Sequence, residues 1–235
     1  MPSIGPTRLT DDFWLVAYDN VVGRPRISDW PLGVGLATGL MAELVGGGFL
    51  ELRGGELFRT SELPDDRALR PVLAKMEQEE HEQWAAVRVP SPSWARHRHS
   101  RPGHNVRRWL SYLAYANRAE SQVVERLSRA GLIRREERRR LWRPPSVRHV
   151  PFDSVAAATP STAINTAVQR GLALTYRQLV LAGLFLATGL HCHAMATLTP
   201  SQRARLAAML RDGLDGTSQE LLRTADAVIG DAAMR

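Results

Sequence analysis

The sequence predicts a mainly α-helical fold: a single compact domain with a central hydrophobic helix ringed by amphipathic helices, plus two short β-hairpins. Three observations predict it. From Leu179 to Leu190, inside the stretch Leu172–Met195, the chain carries no charge and is apolar on every side, and a helix apolar all round belongs in an interior. That uncharged run is about 12 residues long, short of the ~20 needed to cross a bilayer. The surrounding segments repeat apolar residues at helical spacing, so they are suited to wrapping such a rod. Finally, 235 residues with 44% hydrophobic and 23% charged side chains fit a soluble globular chain of one domain, residues 1–235.

Taken in order, residues 7–22 pair a candidate N-cap at Thr10, followed by Asp11 and Asp12, with the apolar set Phe13, Leu15, Val16 and Tyr18. Asp19-Asn20 and Gly23-Arg24-Pro25 mark a turn. Over Leu32–Val45, Leu36, Leu40 and Leu44 recur at i+4 and predict a helix, which Gly46-Gly47-Gly48 stops. Phe49–Leu52 and Glu56–Arg59, parted by Arg53-Gly54-Gly55, read as a hairpin. An acidic helical window with Glu77, Glu79, Glu80 and Glu82 leads to a Pro-, Arg- and His-rich connection over residues 85–104.

Val106–Ala130 reads as one long helix closed by Gly131, with Leu110, Leu113, Val124 and Leu127 on one stripe. Asn117 and Glu120 fall on that stripe, either at a partly exposed centre or lining a polar pocket. After the basic run Arg134–Arg140, Leu141-Trp142-Arg143, Pro144-Pro145 and Val147–Val150 read as the second hairpin. Helices near 161–171, along the core rod, at 200–213 and at 217–229 complete the chain.

The formal net charge is +7, and Lys75 is the only lysine. Guanidinium groups bind phosphate in a bidentate way, so an Arg-rich basic chain points to phosphate-bearing partners. A genomic preference for Arg codons accounts for the same excess without any function. Cys192 is the single cysteine, which excludes an internal disulfide and suits a reducing cytosol. The first residues contain no apolar signal-peptide core. Gly33-x-Gly35-x-x-x-Gly39 misses the dinucleotide fingerprint and lacks its βαβ setting. His191-Cys192-His193 spreads its side chains over different helix faces, and His97-x-His99 with His104 lacks supporting Cys or carboxylate ligands. No catalytic constellation, metal site or cofactor motif is found, so the expectation is a protein that is not an enzyme and holds no cofactor.

Several stretches, read together, resemble the Golgi phosphoprotein 3 family, whose members include bacterial, notably actinobacterial, proteins. They are Leu9-Thr10-x-x-Phe13-x-Leu15-Val16-Ala17-Tyr18-Asp19 with Gly23, then Gly35-Leu36-x-x-Gly39-Leu40-Met41-Ala42-Glu43-Leu44 followed by Gly48-Phe49-Leu50-Glu51-Leu52, and Val123-Val124-Glu125-Arg126-Leu127 leading to Gly131-Leu132-Ile133-Arg134. Their order and spacing carry the likeness over most of residues 8–190. The resemblance implies peripheral membrane binding through phosphatidylinositol 4-phosphate, held by a Trp and three Arg. Trp30 takes the Trp position, while the arginine positions fall on Ala37, Asn117 and Glu120, with Arg118 beside them. Charge-assisted hydrogen bonds contribute roughly 1.5–3 kcal/mol each, so losing three removes about 5–9 kcal/mol, comparable with a micromolar complex. The expectation is anionic-lipid binding with the family headgroup pocket altered. The resemblance also implies a contact hairpin, for membrane insertion or homo-oligomerisation, covering Arg138, Arg139, Arg140, Leu141, Trp142, Arg143, Val147 and Arg148.

Three functions compete. A peripheral protein on the inner, cytoplasmic face of an anionic phospholipid membrane fits the seven arginines of residues 134–148. A winged-helix-like nucleic-acid binder fits the two helix-plus-hairpin units and a pI near 10.6, but helix 32–45 carries no Arg or Lys to read a groove. The third is a protein-interaction scaffold without lipid selectivity.

Overall fold

Helix α1 (Leu9–Ala17) places Asp11 and Asp12 in its first turn, where carboxylates suit the positive end of the helix dipole. Every residue of it is buried. A tight turn follows, closed by a bridge between Tyr18 and Pro25. Helix α2 (Asp29–Gly46) is buried without interruption from Leu32 to Met41. Glycine permits that enclosure. A Cβ on Gly35 would lie 2.4 Å from Phe13 Cζ, and one on Gly39 2.6 Å from Thr10 Cγ2, so α1 lies against a strip of α2 bare of side chains. The glycine pattern of α2 is thus a packing surface.

The structure is a computed structural model and describes residues 8–86, 103–140 and 143–234. Strands β1 (Leu50–Arg53) and β2 (Glu56–Arg59) form the expected first hairpin. After α3 (Arg70–Ala86), the two-residue β3 (His104–Asn105) joins the other edge of β2 through the pair Leu57↔His104. Sequence reading missed this third strand.

The stretch expected as one helix, Val106–Ala130, is two. Helix α4 (Val106–Ala114) and α5 (Arg118–Arg129) are parted by a 3-10 turn at Tyr115–Asn117, where Ala116 and Asn117 take φ values of 53° and 55°. Left-handed backbone of this kind ends an α-helix, and Asn tolerates it better than other non-glycine residues. Asn117 interrupts the apolar stripe because the helix itself is interrupted there.

Strands β4 (Ile133–Arg140) and β5 (Arg143–Pro151) pair antiparallel from Ile133↔Pro151 out to Arg140↔Arg143. The second hairpin is therefore longer than expected. Its first strand is the basic run, and Pro144-Pro145 lie inside β5; both strands of a two-stranded sheet are edges, where proline is tolerated. Helix α6 (Ser154–Arg170) begins earlier than expected, capped by Asp153, and runs through Pro160. The expected rod over Leu172–Met195 is shorter. Exposed Leu172 precedes α7 (Tyr176–Ala187), which is buried from Leu179 to Phe185, and a short α8 (His191–Ala194) follows. Helices α9 (Pro200–Gly213) and α10 (Gly216–Ala233) carry the caps Thr199 and Asp215.

These elements make one mainly α-helical domain in which α1 packs against α2, α5, α6 and α7, and α10 covers α2, α4 and α7. A cluster of charged side chains sits among them. Buried Arg126 of α5 donates at 2.8 Å to each of Asp11, Glu43, Asp66 and the Thr10 hydroxyl. Asp66 also pairs with Arg8 at 2.6 Å. Burial alone lowers the Arg126 pKa, but Glu43, Asp11 and Asp66 reverse this and keep it charged.

Candidate functional site

The positions aligned with the family headgroup site lie on α2 and at the head of α5. Glu120, in the first turn of α5, accepts a hydrogen bond from the Tyr18 hydroxyl at the end of α1. Burial first, and then the Glu120 charge, push the Tyr18 hydroxyl far above its ordinary pKa, so it remains a donor. The Glu120 charge also acts on His149 of β5. Burial lowers the His149 pKa, with Glu120 opposing and Arg135 adding to the shift. Glu120 thus ties the head of α5 to the end of α1.

Asn117 is exposed at the break before α5. Arg118 covers that break. Its guanidinium carbon stands 4.3 Å from the Tyr112 ring centre and 5.4 Å from that of Tyr115, and it donates to the Tyr112 carbonyl at 2.8 Å. The Trp30 indole N–H is directed at the Val228 carbonyl of α10 at 3.4 Å. Ala37 is fully buried. It lies one helical turn after Gly33, whose Cβ would meet the Ala114 carbonyl oxygen at 3.0 Å. The structure therefore brings Asn117, Arg118 and Glu120 together at the head of α5, while Trp30 packs on α10 and Ala37 faces the interior. Four surface clefts are lined by other residues.

In the second hairpin the pairing register assigns the faces. Ile133, Arg135, Glu137, Val147, His149 and Pro151 share one face, and Arg134, Glu136, Arg148 and Val150 share the other. Ile133, Val150 and Pro151 are buried and anchor the root. Further out the side chains are wet: Arg134 pairs with Glu136 at 2.9 Å and Arg135 with Glu137 at 3.1 Å, all substantially exposed. Exposed pairs of this kind add little to stability, so folding does not account for the concentration of arginine here. Arg138, Arg139 and Arg140 lie in β4 and Arg143 in β5. Leu141 and Trp142, like His97 and His99, lie outside the described residues. At the root, Arg148 donates to the Val22 carbonyl at 2.9 Å, and Val150 packs so closely on Gly23 that a Cβ there would come within 2.9 Å of it.

Sequence reading missed the Tyr18–Glu120 contact and the role of Arg126. The second had a signal: Arg126 lies three residues after Val123 and next to Leu127, so it belongs to the buried side of α5.

The fold and its surface define a class: a mainly α-helical, single-domain protein that presents a basic two-stranded hairpin at the end of a helix pair. Among the described residues no helix is long and apolar enough to cross a membrane. Residues 9–228 match the family described as Golgi phosphoprotein 3 (GPP34), and the chain belongs to that family. No curated protein gives a significant match.

Proposed function

We propose that this protein is a peripheral membrane protein that binds anionic lipid on the inner, cytoplasmic face of a membrane, without the phosphoinositide selectivity that resemblance to the family implies. The basic hairpin carries the reading. Arg134 and Arg135 are exposed, in pairs that contribute little to folding, and each Arg near an anionic leaflet contributes on the order of 1 kcal/mol. Membership of the Golgi phosphoprotein 3 family supports membrane association.

The altered headgroup chemistry has two supports. A carboxylate at position 120, engaged by Tyr18, repels a phosphate monoester where a guanidinium would attract it. Ala37 is buried and offers a headgroup no contact. Two other readings are weaker. A helix enclosed along ten residues, as α2 is, has no face to lay in a nucleic-acid groove. Self-association through the 141–150 segment is favoured by the unpaired edges of β4 and β5, but it sets like charges against each other.

Flotation with liposomes tests the proposal. The protein is expected to float with anionic vesicles, not with zwitterionic ones, and to dissociate steeply as salt rises, because exposed charges are screened beyond ~8–10 Å. It is also expected not to distinguish phosphatidylinositol 4-phosphate from other lipids at equal charge. Asn117→Arg with Glu120→Arg is expected to create such a preference, judged against a variant with the same charge added elsewhere. Salt-insensitive flotation, or equal flotation with zwitterionic vesicles, overturns the membrane reading. Selectivity in the wild type overturns the altered pocket.

A further inference from the structure

The turn after α1, Asp19-Asn20-Val21-Val22-Gly23-Arg24, sets two β-branched aliphatic side chains where turns ordinarily carry Gly, Asn, Asp or Ser. Val21 is 87% exposed and Val22 46%. Such exposure is unremarkable in a loose loop, but this turn is tightly built. The Asp19 carboxylate accepts the Val21 and Val22 amides at 2.9 and 2.8 Å. The Gly23 amide donates to the Asp19 carbonyl at 2.8 Å, and the Asp19 amide to the Arg24 carbonyl at 2.9 Å. Gly23 takes a φ of +62° and lies under Val150, and the Val22 carbonyl is held by Arg148. The tip is thus pinned from its own side and from the hairpin, with its valines pointing away from the core.

The surroundings select a partner. Arg24 is exposed beside the tip, Arg26 is paired with Asp19 at 3.2 Å with about a third of its side chain exposed, and Arg148 stands at the back of the tip. A cleft of about 160 Å³ shared by Asn20, Arg26, Ala158 and Ser161 links the turn to α6. That helix has no charged residue between Asp153 and Arg170, and it begins beside exposed Phe152 and Val155. Aliphatic side chains rimmed by guanidinium groups match the boundary between acyl chains and anionic headgroups. A second copy fits poorly, since a two-fold contact would set this basic rim against itself.

We propose that the Asp19–Arg24 turn is a membrane anchor distinct from the hairpin, inserting Val21 and Val22 into the headgroup region of an anionic bilayer while the flanking arginines engage lipid phosphates. The inference rests on the membrane reading above. It adds an apolar contribution that salt does not screen.

Val21→Ser with Val22→Ser tests it, because serine suits the turn and leaves the amide contacts of Asp19 in place. Partition onto anionic vesicles is expected to fall about tenfold at fixed salt, with melting temperature and salt dependence unchanged. A second measurement places an environment-sensitive fluorophore on Val21→Cys in a Cys192→Ser background, where vesicles should shift its emission to the blue. Wild-type binding that the serine variant retains in full, with no emission shift, overturns the anchor and leaves the membrane reading intact. A wild type that binds no anionic vesicle overturns both. A serine variant that changes molar mass in solution rather than vesicle partition assigns the valines to a second copy and overturns the bilayer as occupant.

Discussion

Arginine does opposite things in two parts of this molecule. On α5, Arg126 is buried and divides its donors among Asp11, Glu43, Asp66 and Thr10, drawn from α1, α2 and the segment before α3. On the second hairpin, Arg134 and Arg135 stand in water with one carboxylate each, two residues away on the same strand. Removing a buried charge's partner costs far more than removing an exposed one's. The net charge of +7 therefore says little by itself. What separates a structural arginine from one left for a partner is the sequence distance of its counterions, long for Arg126 and two residues for the hairpin.

The contrast is broken most directly at Arg126. Arg126→Met strands three carboxylates in a dry site and should cost about 3–5 kcal/mol in urea-induced unfolding. A loss below about 1 kcal/mol would make the two regions equivalent.

Asp66→Asn sharpens it next, with an expected loss of about 1.5–3 kcal/mol at neutral pH. Burial alone raises the Asp66 pKa, but the Ala68 amide and Arg126 prevail and hold it below the usual carboxylate range. A depressed carboxyl contributes stability above its unfolded pKa of ~3.9 and loses it as pH falls through the folded value. The gap between wild type and variant should therefore narrow below about pH 4. Asp11 runs the other way. Burial raises its pKa, Arg126 opposes this and Glu43 reinforces it, so its ionisation becomes a cost as pH rises above the unfolded value. Two positive side chains, Arg126 and Arg8, face three carboxylates in this cluster. Burial is the main reason that Asp11 holds its proton more tightly, and the excess negative charge adds to it.

At the hairpin, Arg134→Gln with Arg135→Gln should weaken partition onto anionic vesicles by roughly 30-fold, about 1 kcal/mol per arginine. Unfolding free energy should move by less than about 0.5 kcal/mol. A large stability loss would place these side chains with Arg126. The smallest effect concerns the break between α4 and α5. Ala116 holds a left-handed φ of 53°, which costs a non-glycine residue about 1–2 kcal/mol. Ala116→Gly should stabilise the fold by about 0.5–1 kcal/mol, once the greater freedom of glycine in the unfolded chain is subtracted.

Local patterning made much of the fold legible. The i+4 leucines of α2 and the Gly-Gly turn between β1 and β2 are read from neighbours within a few residues. What stayed hidden depends on distant partners. Strand β3 is two residues long and is defined by its pairing with β2, and Arg126 needs residues from positions 11, 43 and 66 before its burial makes sense. The headgroup positions show the same limit. Ala37 is enclosed on α2, and alignment holds no record of which side of a helix is enclosed. Asn117 was singled out correctly as a defect in the stripe; its backbone conformation, not its amide chemistry, explains it.

Helix α1 has one more consequence, in time rather than in space. Its nine residues are synthesised well before one of its walls, α7, which ends at Ala187. About 170 residues separate the two ends (187 − 17), which at ~5–20 residues per second is a wait of roughly 10–35 s. Through that interval Phe13, Trp14 and Leu15 lack part of their shelter, so the nascent chain cannot complete its core stepwise from the N-terminus. Folding is gated by the emergence of α7, as expected for a core stitched by contacts of long sequence separation. A ribosome stalled before that helix holds a chain whose most apolar early segment remains open to chaperones and to aggregation.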